Sequence, residues 1–185
     1  ETVNNGTNFF ASLDGYATWE DVANYGFFVD GAFSICTSTT PPVGDCEQDF
    51  YTTEDPISGA GFSSGNWVAN DVIVAGDTQF TMQTMTFETV TLSGNPTNFD
   101  LEIFEDNGTG GVGASTGMTY HFDSSNMTYT PNGLLFGVYP QYTVVFDLPA
   151  ILLQANGSAD TRYWLAVTSD LSSTGDFTYW VSYLH

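Results

Sequence analysis

Lysine is missing from this chain of 185 residues, and Arg162 is its single arginine. Against them stand 22 carboxylates, so the formal charge is -21. Acids are not in excess: Lys, Arg, Asp and Glu together make up 12% of the residues. The charge arises from the removal of bases, and Ser, Thr, Asn, Gly and Gln must carry the surface, as in an extracellular or cell-surface protein. Without cations the chain cannot neutralise phosphates, which excludes nucleic acid and anionic membrane surfaces as partners. Its field repels anionic polymers and concentrates cations such as Ca²⁺. No apolar run approaches the roughly 18–20 residues of a membrane-spanning helix, so no membrane insertion is expected.

Histidine is nearly absent too. His121 lies inside a strand-like run and His185 is the last residue, and neither accompanies a Gly-x-Ser-x-Gly elbow or a cysteine arrangement, so no nucleophilic triad is legible. A glycosidase would need two carboxylates some 5–10 Å apart. Asp100 and Glu102, with Glu88 as a neighbour, have the spacing, but alternation assigns them to a solvated face. We read the chain as non-enzymatic.

Only two cysteines occur, Cys36 and Cys46, bracketing Thr-Ser-Thr-Thr-Pro-Pro-Val-Gly-Asp. Two thiols without a nearby His make a poor zinc site, and the spacing is not that of a Cys-x-x-Cys redox pair. The expectation is one local disulfide, stabilising by about 2.5–3 kcal/mol through loop closure. Glu1 follows no Met or hydrophobic leader. A secretion signal already removed is the expectation, and trimming during expression would leave the same start.

Sustained helical periodicity is lacking, and Gly or Pro recurs every ten residues or so. What is present instead is alternation. Phe99, Leu101 and Ile103 share one face of residues 98–105, with Asp100 and Glu102 on the other. Tyr163, Leu165 and Val167 group in 162–168, and Phe177, Tyr179, Val181 and Tyr183 in 176–184. Further strands are expected at 25–29, 33–36, 66–75, 79–92, 118–122, 134–138 and 142–148. In 79–92 the apolar phase slips between Met82 and Met85, which a bulge near Thr84 would reconcile. Turn signals stand at Asp14-Gly15, Asp30-Gly31, residues 93–96, 106–111, Pro131-Asn132-Gly133 and Asn156-Gly157. The expected fold is a single all-β domain: a two-sheet antiparallel β-sandwich of jelly-roll type. Residues 1–24 are less patterned and read as an N-terminal arm, with residues 2–13 a candidate donor strand.

Three stretches carry a resemblance: Trp67-Val-Ala-Asn-Asp-Val-Ile-Val74, Phe99-Asp-Leu-Glu-Ile-Phe-Glu-Asp-Asn-Gly-Thr-Gly-Gly111, and Tyr163-Trp-Leu-Ala-Val-Thr168 followed by Trp180. They resemble the Ala-Asp-Asp-Phe-x-Val strand, the Asp/Asn/Gly hairpin and the closing Tyr-Trp-Leu strand of β-sandwich domains in secreted and cell-surface proteins of Bacteroidetes. Asn70 and Val72 stand where Asp and Phe are commoner. The resemblance spans residues 62–184 and implies a jelly-roll module in an adhesive, carbohydrate-associated or surface-fibre setting, with no catalytic residues.

Hard oxygen ligands in irregular loops suit Ca²⁺. The candidates are Asp71 and Asp77, the loop of Glu105, Asp106 and Asn107, and the loop from Asp170 to Asp176. The competing reading of 106–108 is a plain hairpin turn, since Asp, Asn and Gly tolerate positive φ. Of 29 aromatic residues most must pack the core. Tyr139, Tyr142, Tyr179 and Trp180, or Trp19 and Tyr25, are the candidates for an exposed sugar-stacking platform or a subunit contact. Glycosylation sequons stand at Asn5, Asn107, Asn126 and Asn156, hardly more than chance supplies. Together these features point to a structural or adhesive surface subunit that self-associates, or contacts other surface proteins, by strand addition into filaments. The alternative is a carbohydrate-binding module of a larger secreted protein, and a hydrolase ranks third.

Overall fold

The structure, a computed structural model, describes residues 9–12, 14–15, 17–21, 30–31, 33–36, 46–47, 58–63, 65–92, 95–171 and 178–183. Within these lie the strands β1 Phe9–Ser12, β2 Glu20–Asp21, β3 Asp30–Gly31, β4 Phe33–Cys36, β5 Cys46–Glu47, β6 Ser58–Phe62, β7 Trp67–Val74, β8 Gln79–Thr91, β9 Phe99–Asp106, β10 Val112–Phe122, β11 Met127–Phe136, β12 Tyr139–Gln154, β13 Thr161–Ser169 and β14 Thr178–Tyr183. No helix occurs among the described residues.

One sheet has the order β10-β9-β13-β7-β1-β2. The second runs β11-β12-β8-β14-β3, with β4 also paired to β8, β5 to β4 and β6 to β14. All these pairings are antiparallel. In strand order the chain changes sheet after β2, β6, β7, β8, β10, β12 and β13, while β9–β10 and β11–β12 are hairpins within a sheet. The expected all-β, two-sheet antiparallel sandwich is therefore the fold. The runs expected at 33–36, 66–75, 79–92, 98–105, 162–168 and 176–184 correspond to β4, β7, β8, β9, β13 and β14. Residues 25–29 lie outside the described residues.

Inward-facing side chains of both sheets make the main core, including Val68, Val72, Leu101, Ile103, Leu165 and Val167 from one sheet and Met82, Met85, Phe87, Val144 and Phe146 from the other. Phe122 lies flat on Phe146 with ring centroids 4.0 Å apart, and Phe87 meets Phe146 edge-on at 5.1 Å. Met82 and Met85 are both fully buried, so the phase of β8 does slip between them. Opposite, the β12 register jumps from Asp147↔Thr84 to Ile151↔Met82, and Ala150 takes φ 58°. The irregularity expected near Thr84 is thus carried largely by extra residues of its partner strand.

Two expectations need correction. Pro131-Asn132-Gly133 is not the hairpin turn; it lies inside β11, where the register shifts between Pro131 and Leu135. The turn is Gly137-Val138, a two-residue loop closed by the Phe136↔Tyr139 pair, with Gly137 at φ 62°. Positive φ at the first central position is what primed hairpin turns reserve for glycine. The runs 118–122, 134–138 and 142–148 accordingly become the longer strands of two adjoining hairpins.

The second correction concerns the outer face of the first sheet. Trp67, Ala69, Phe104, Val112, Trp164 and Ala166 form a separate buried cluster there, with Phe10 and Trp19 packed on it. Phe10 meets Trp164 edge-on at 4.9 Å, and Trp19 meets Phe104 at 5.3 Å. β7 and β13 are therefore buried on both faces. Alternation identified which residues share a face; it did not reveal that the polar-looking face of β9 is covered. Glu102 is buried and accepts a hydrogen bond from the Ser115 hydroxyl, instead of being solvated.

Phe9–Ser12 of the expected donor arm is seated in its own sheet, paired with β7 and with β2. Residues 1–8 lie outside the described residues.

Candidate functional site

Arg162, the one cation of Lys or Arg type, stands near the start of β13 on the outer face of the first sheet. Its Nε is 3.3 Å from Asp71 Oδ2 on β7 and 4.0 Å from Asp106 Oδ2 at the end of β9. Its guanidinium carbon lies 5.8 Å from the Trp164 ring centroid, within cation–π range. The Asp71 side chain is 2% exposed and that of Arg162 22%. Asp71 Oδ1 and Asp106 Oδ2 are buried without a hydrogen-bond partner. Burial is the main influence raising the Asp71 pKa above the ordinary carboxyl value; Arg162 opposes the rise and Asp106 adds to it. Two carboxylates thus share one guanidinium in a largely dry setting.

Beside them opens a cleft of about 700 Å³, lined among others by Asp106, Gln154, Asn156, Asp160, Arg162 and Tyr163. Its walls are held by local hydrogen bonds. Gly76 N–H donates to Asp160 Oδ1 at 2.9 Å, and the Tyr163 hydroxyl donates to the Gln154 carbonyl at 2.7 Å. Gly76 is required there, because a Cβ would stand 2.0 Å from the Ser158 carbonyl oxygen.

Of the acidic residues expected to hold Ca²⁺, Asp71 and Asp106 come together at Arg162, while Asp170 follows the other end of β13. Asp106 Oδ1 accepts from Gly108 N–H and Gly110 N–H, and Asn107 Oδ1 accepts from Thr109 and Gly111 N–H. Those oxygens shape the 106–111 turn, in which Gly108 takes φ 85°; Glu105 is exposed on the cleft wall. Asp77 sits exposed in the β7–β8 turn at φ 59°. Asp170 accepts from Thr97 N–H at 3.0 Å, the Thr97 hydroxyl at 2.6 Å and the Asn98 amide at 3.1 Å. Burial raises its pKa, but these hydrogen bonds outweigh that and leave it lowered. Asp176 lies outside the described residues. Among the described residues no three His, Cys, Asp or Glu side chains are grouped as metal ligands.

Among the aromatic candidates whose side chains are described, Tyr139, Tyr142 and Trp19 are differently placed. Tyr142 is half-buried and stacks on Tyr129 at 4.4 Å, facing the core. Tyr139 is exposed at the hairpin tip. Tyr179 and Trp180 lie on β14, opposite Val90 and Thr89 of β8. Trp19 packs on the outer cluster, and Tyr25 lies outside the described residues.

Among the sequons, Asn107 and Asn156 are exposed. Asn126 is half-buried and committed: its amide donates to the His121 carbonyl and its Oδ1 accepts from Asp123 N–H. It is a structural turn residue. Asn5 lies outside the described residues. Cys36 and Cys46 are direct cross-strand partners of β4 and β5. Such a pair has its Cα atoms about 4.5–5.5 Å apart, within the range a disulfide spans.

Sequence reasoning missed one polar cluster. Glu88, buried on the outer face of β8, accepts from the Asn132 amide at 3.0 Å and from the Gln141 amide. Asn132 reaches it because the β11 irregularity swings that residue over the sheet, and its Oδ1 in turn accepts from Leu134 N–H. This fastens the base of the β11–β12 hairpin. Beyond it Leu135, Phe136, Val138 and Tyr139 project as exposed apolar side chains. An apolar run within a strand ordinarily signals core, so nothing in the local pattern marked Leu135, Phe136 or Val138 as surface; of the four only Tyr139 was expected to be exposed. His121 Nδ1 meets Asp100 Oδ1 at 2.7 Å as an exposed pair at the far end of β10.

Compared with protein-family models, with curated proteins and with solved structures, the chain matches none.

Proposed function

We propose that this protein is a non-enzymatic structural or adhesive subunit of an extracellular surface. The observation that carries the reading is the hairpin tip: Leu135, Phe136, Val138 and Tyr139 stand exposed on a strongly acidic sandwich, over a base pinned by Glu88. Monomeric proteins seldom leave apolar side chains grouped in this way unless they make contact there. The composition supports an extracellular setting, and the cross-strand placement of Cys36 and Cys46 favours a disulfide in an oxidising compartment. Contact through the tip replaces strand donation as the favoured mode, since Phe9–Ser12 is already used within its own sheet. Immunogold electron microscopy of producing cells is the test. Label outside the envelope is expected, and a purely cytosolic distribution would overturn the reading.

A second reading, carbohydrate binding, is supported by the cleft beside Arg162 instead of by an aromatic platform. Gln154, Asn156, Asp160 and Tyr163 offer the mixed donors and acceptors that hydroxyl-rich ligands need. Glycan-array binding abolished by Tyr163→Ala, with the fold intact, would favour it over the adhesive reading; a flat array would remove it.

A further inference from the structure

The 22 carboxylates are unevenly placed. Between Asp106 and Asp147 the chain holds a single one, Asp123, and from Met127 to Phe146 it holds no Asp, Glu, Lys, Arg or His. Tertiary structure gathers this interval onto one side of the sandwich. β10 is the edge strand of one sheet and β11 that of the other, and the Asp123–Asn126 turn joins them. That side is a charge-poor strip on a body of formal charge -21. At its end, away from Asp123 and Asp147, stands the hairpin tip, with Leu135 51% exposed, Phe136 36%, Val138 81% and Tyr139 37%.

From this juxtaposition we infer that the β11–β12 hairpin tip is a self-association surface whose occupant is a second copy of this chain. The inference rests on the reading of the tip as a contact surface, and charge selects the occupant. Two bodies of the same strong charge repel wherever carboxylates face one another, and like-charge juxtaposition at an interface is costly. The tip is an apolar place where two copies meet without bringing together any carboxylate of residues 127–146, which hold none. A basic partner would be drawn to the acidic faces, away from the uncharged apolar loop.

The edge geometry sets the mode of contact. Pro131 and the register shift after it interrupt the free edge of β11, and both are devices that prevent ladder extension. The copies therefore meet through side chains of the tip instead of a shared sheet. A patch this small lies below the standard interface size, so the contact is weak and concentration-dependent. It becomes effective where many copies are displayed side by side.

The test is sedimentation velocity on the whole chain from micromolar to millimolar concentration, at low salt and at about 1 M salt, where screening contracts to about 3 Å. Reversible association that strengthens with salt is expected. Val138→Glu should lower the association constant about tenfold or more without changing the melting temperature, because the side chain touches little. Leu135→Glu should act in the same direction, while Leu152→Glu, an exposed apolar position near the far end of β12, should leave association unchanged. Monomers throughout, or equal loss in the Leu152 variant, would overturn the inference. So would a monomer that floats with neutral phosphatidylcholine vesicles in a Val138-dependent way, since the tip would then be a lipid contact. Monomers from a protein found on the cell surface would remove self-association alone; association of a protein confined to the cytosol would remove the surface reading alone.

Discussion

Replacing Arg162 by Met leaves Asp71 buried without its countercharge while the apolar stem still covers Trp164. Losing one partner of a buried ion pair costs about 3–5 kcal/mol. The fold has an escape, which is to protonate Asp71. From the ordinary carboxyl value of 3.8, that costs at most about 4 kcal/mol at pH 7. Arg162 is 22% exposed, so water reaches the pair and softens the penalty. A loss of about 2–4 kcal/mol at pH 7 is expected in urea titrations. At about pH 4.5 protonation is nearly free, and the ceiling falls to about 1 kcal/mol. The direction follows from Asp71 having a raised pKa in the folded state. Its favourable contribution is complete below 3.8 and is lost as pH rises through the folded value, and Arg162 limits that loss. Asp71→Asn combined with Arg162→Met should recover most of the loss, because the fully buried carboxylate is gone and the Asp106 side chain left without Arg162 is 21% exposed. A single-variant loss below about 1 kcal/mol at neutral pH, or one equal at both pH values, would refute the reasoning.

Phe146→Ala removes the ring against which Phe122 lies and Phe87 abuts, so a loss of about 3–5 kcal/mol is expected by chemical denaturation. A loss under about 1 kcal/mol would mean that the aromatic stack is not central. Asp170→Ala frees Thr97 and Asn98, at a cost of at most about 1 kcal/mol for hydrogen bonds so exposed to solvent. Because the Asp170 pKa is lowered, its contribution is present above 3.8 and fades as pH falls through the folded value. The variant's deficit should therefore vanish in acid, as thermal melts across that window would register. Excess chelator should leave the melting temperature unchanged, since Asp106 Oδ1, Asn107 Oδ1 and both Asp170 carboxylate oxygens already accept hydrogen bonds and Arg162 stands against Asp71 and Asp106 Oδ2. A drop of several degrees would favour bound Ca²⁺.

Alternation and glycine placement by themselves determined the strands, their inner faces and the sandwich. Val68, Leu101, Leu165 and Phe146 are buried where the period of two puts them, because a pleated strand leaves no other choice. The sequence also determined the charge and its long gap between Asp106 and Asp147. What alternation cannot encode is whether the opposite face meets water. Glu102 and Glu88 were assigned to a solvated face and are buried, as is Asp71, because neighbouring strands and packed aromatics cover them. Nor could spacing foresee that Asp71 and Asp106 would share Arg162, since strand order alone brings β7, β13 and β9 side by side. The hairpin tip is the converse case: Leu135 and Val138 belong to an apolar run expected as a strand, yet a glycine turn beyond the sheet's covered area carries them into solvent. Periodicity is local and survives in one dimension. Coverage depends on which distant elements pack on a face, and only the folded chain decides that.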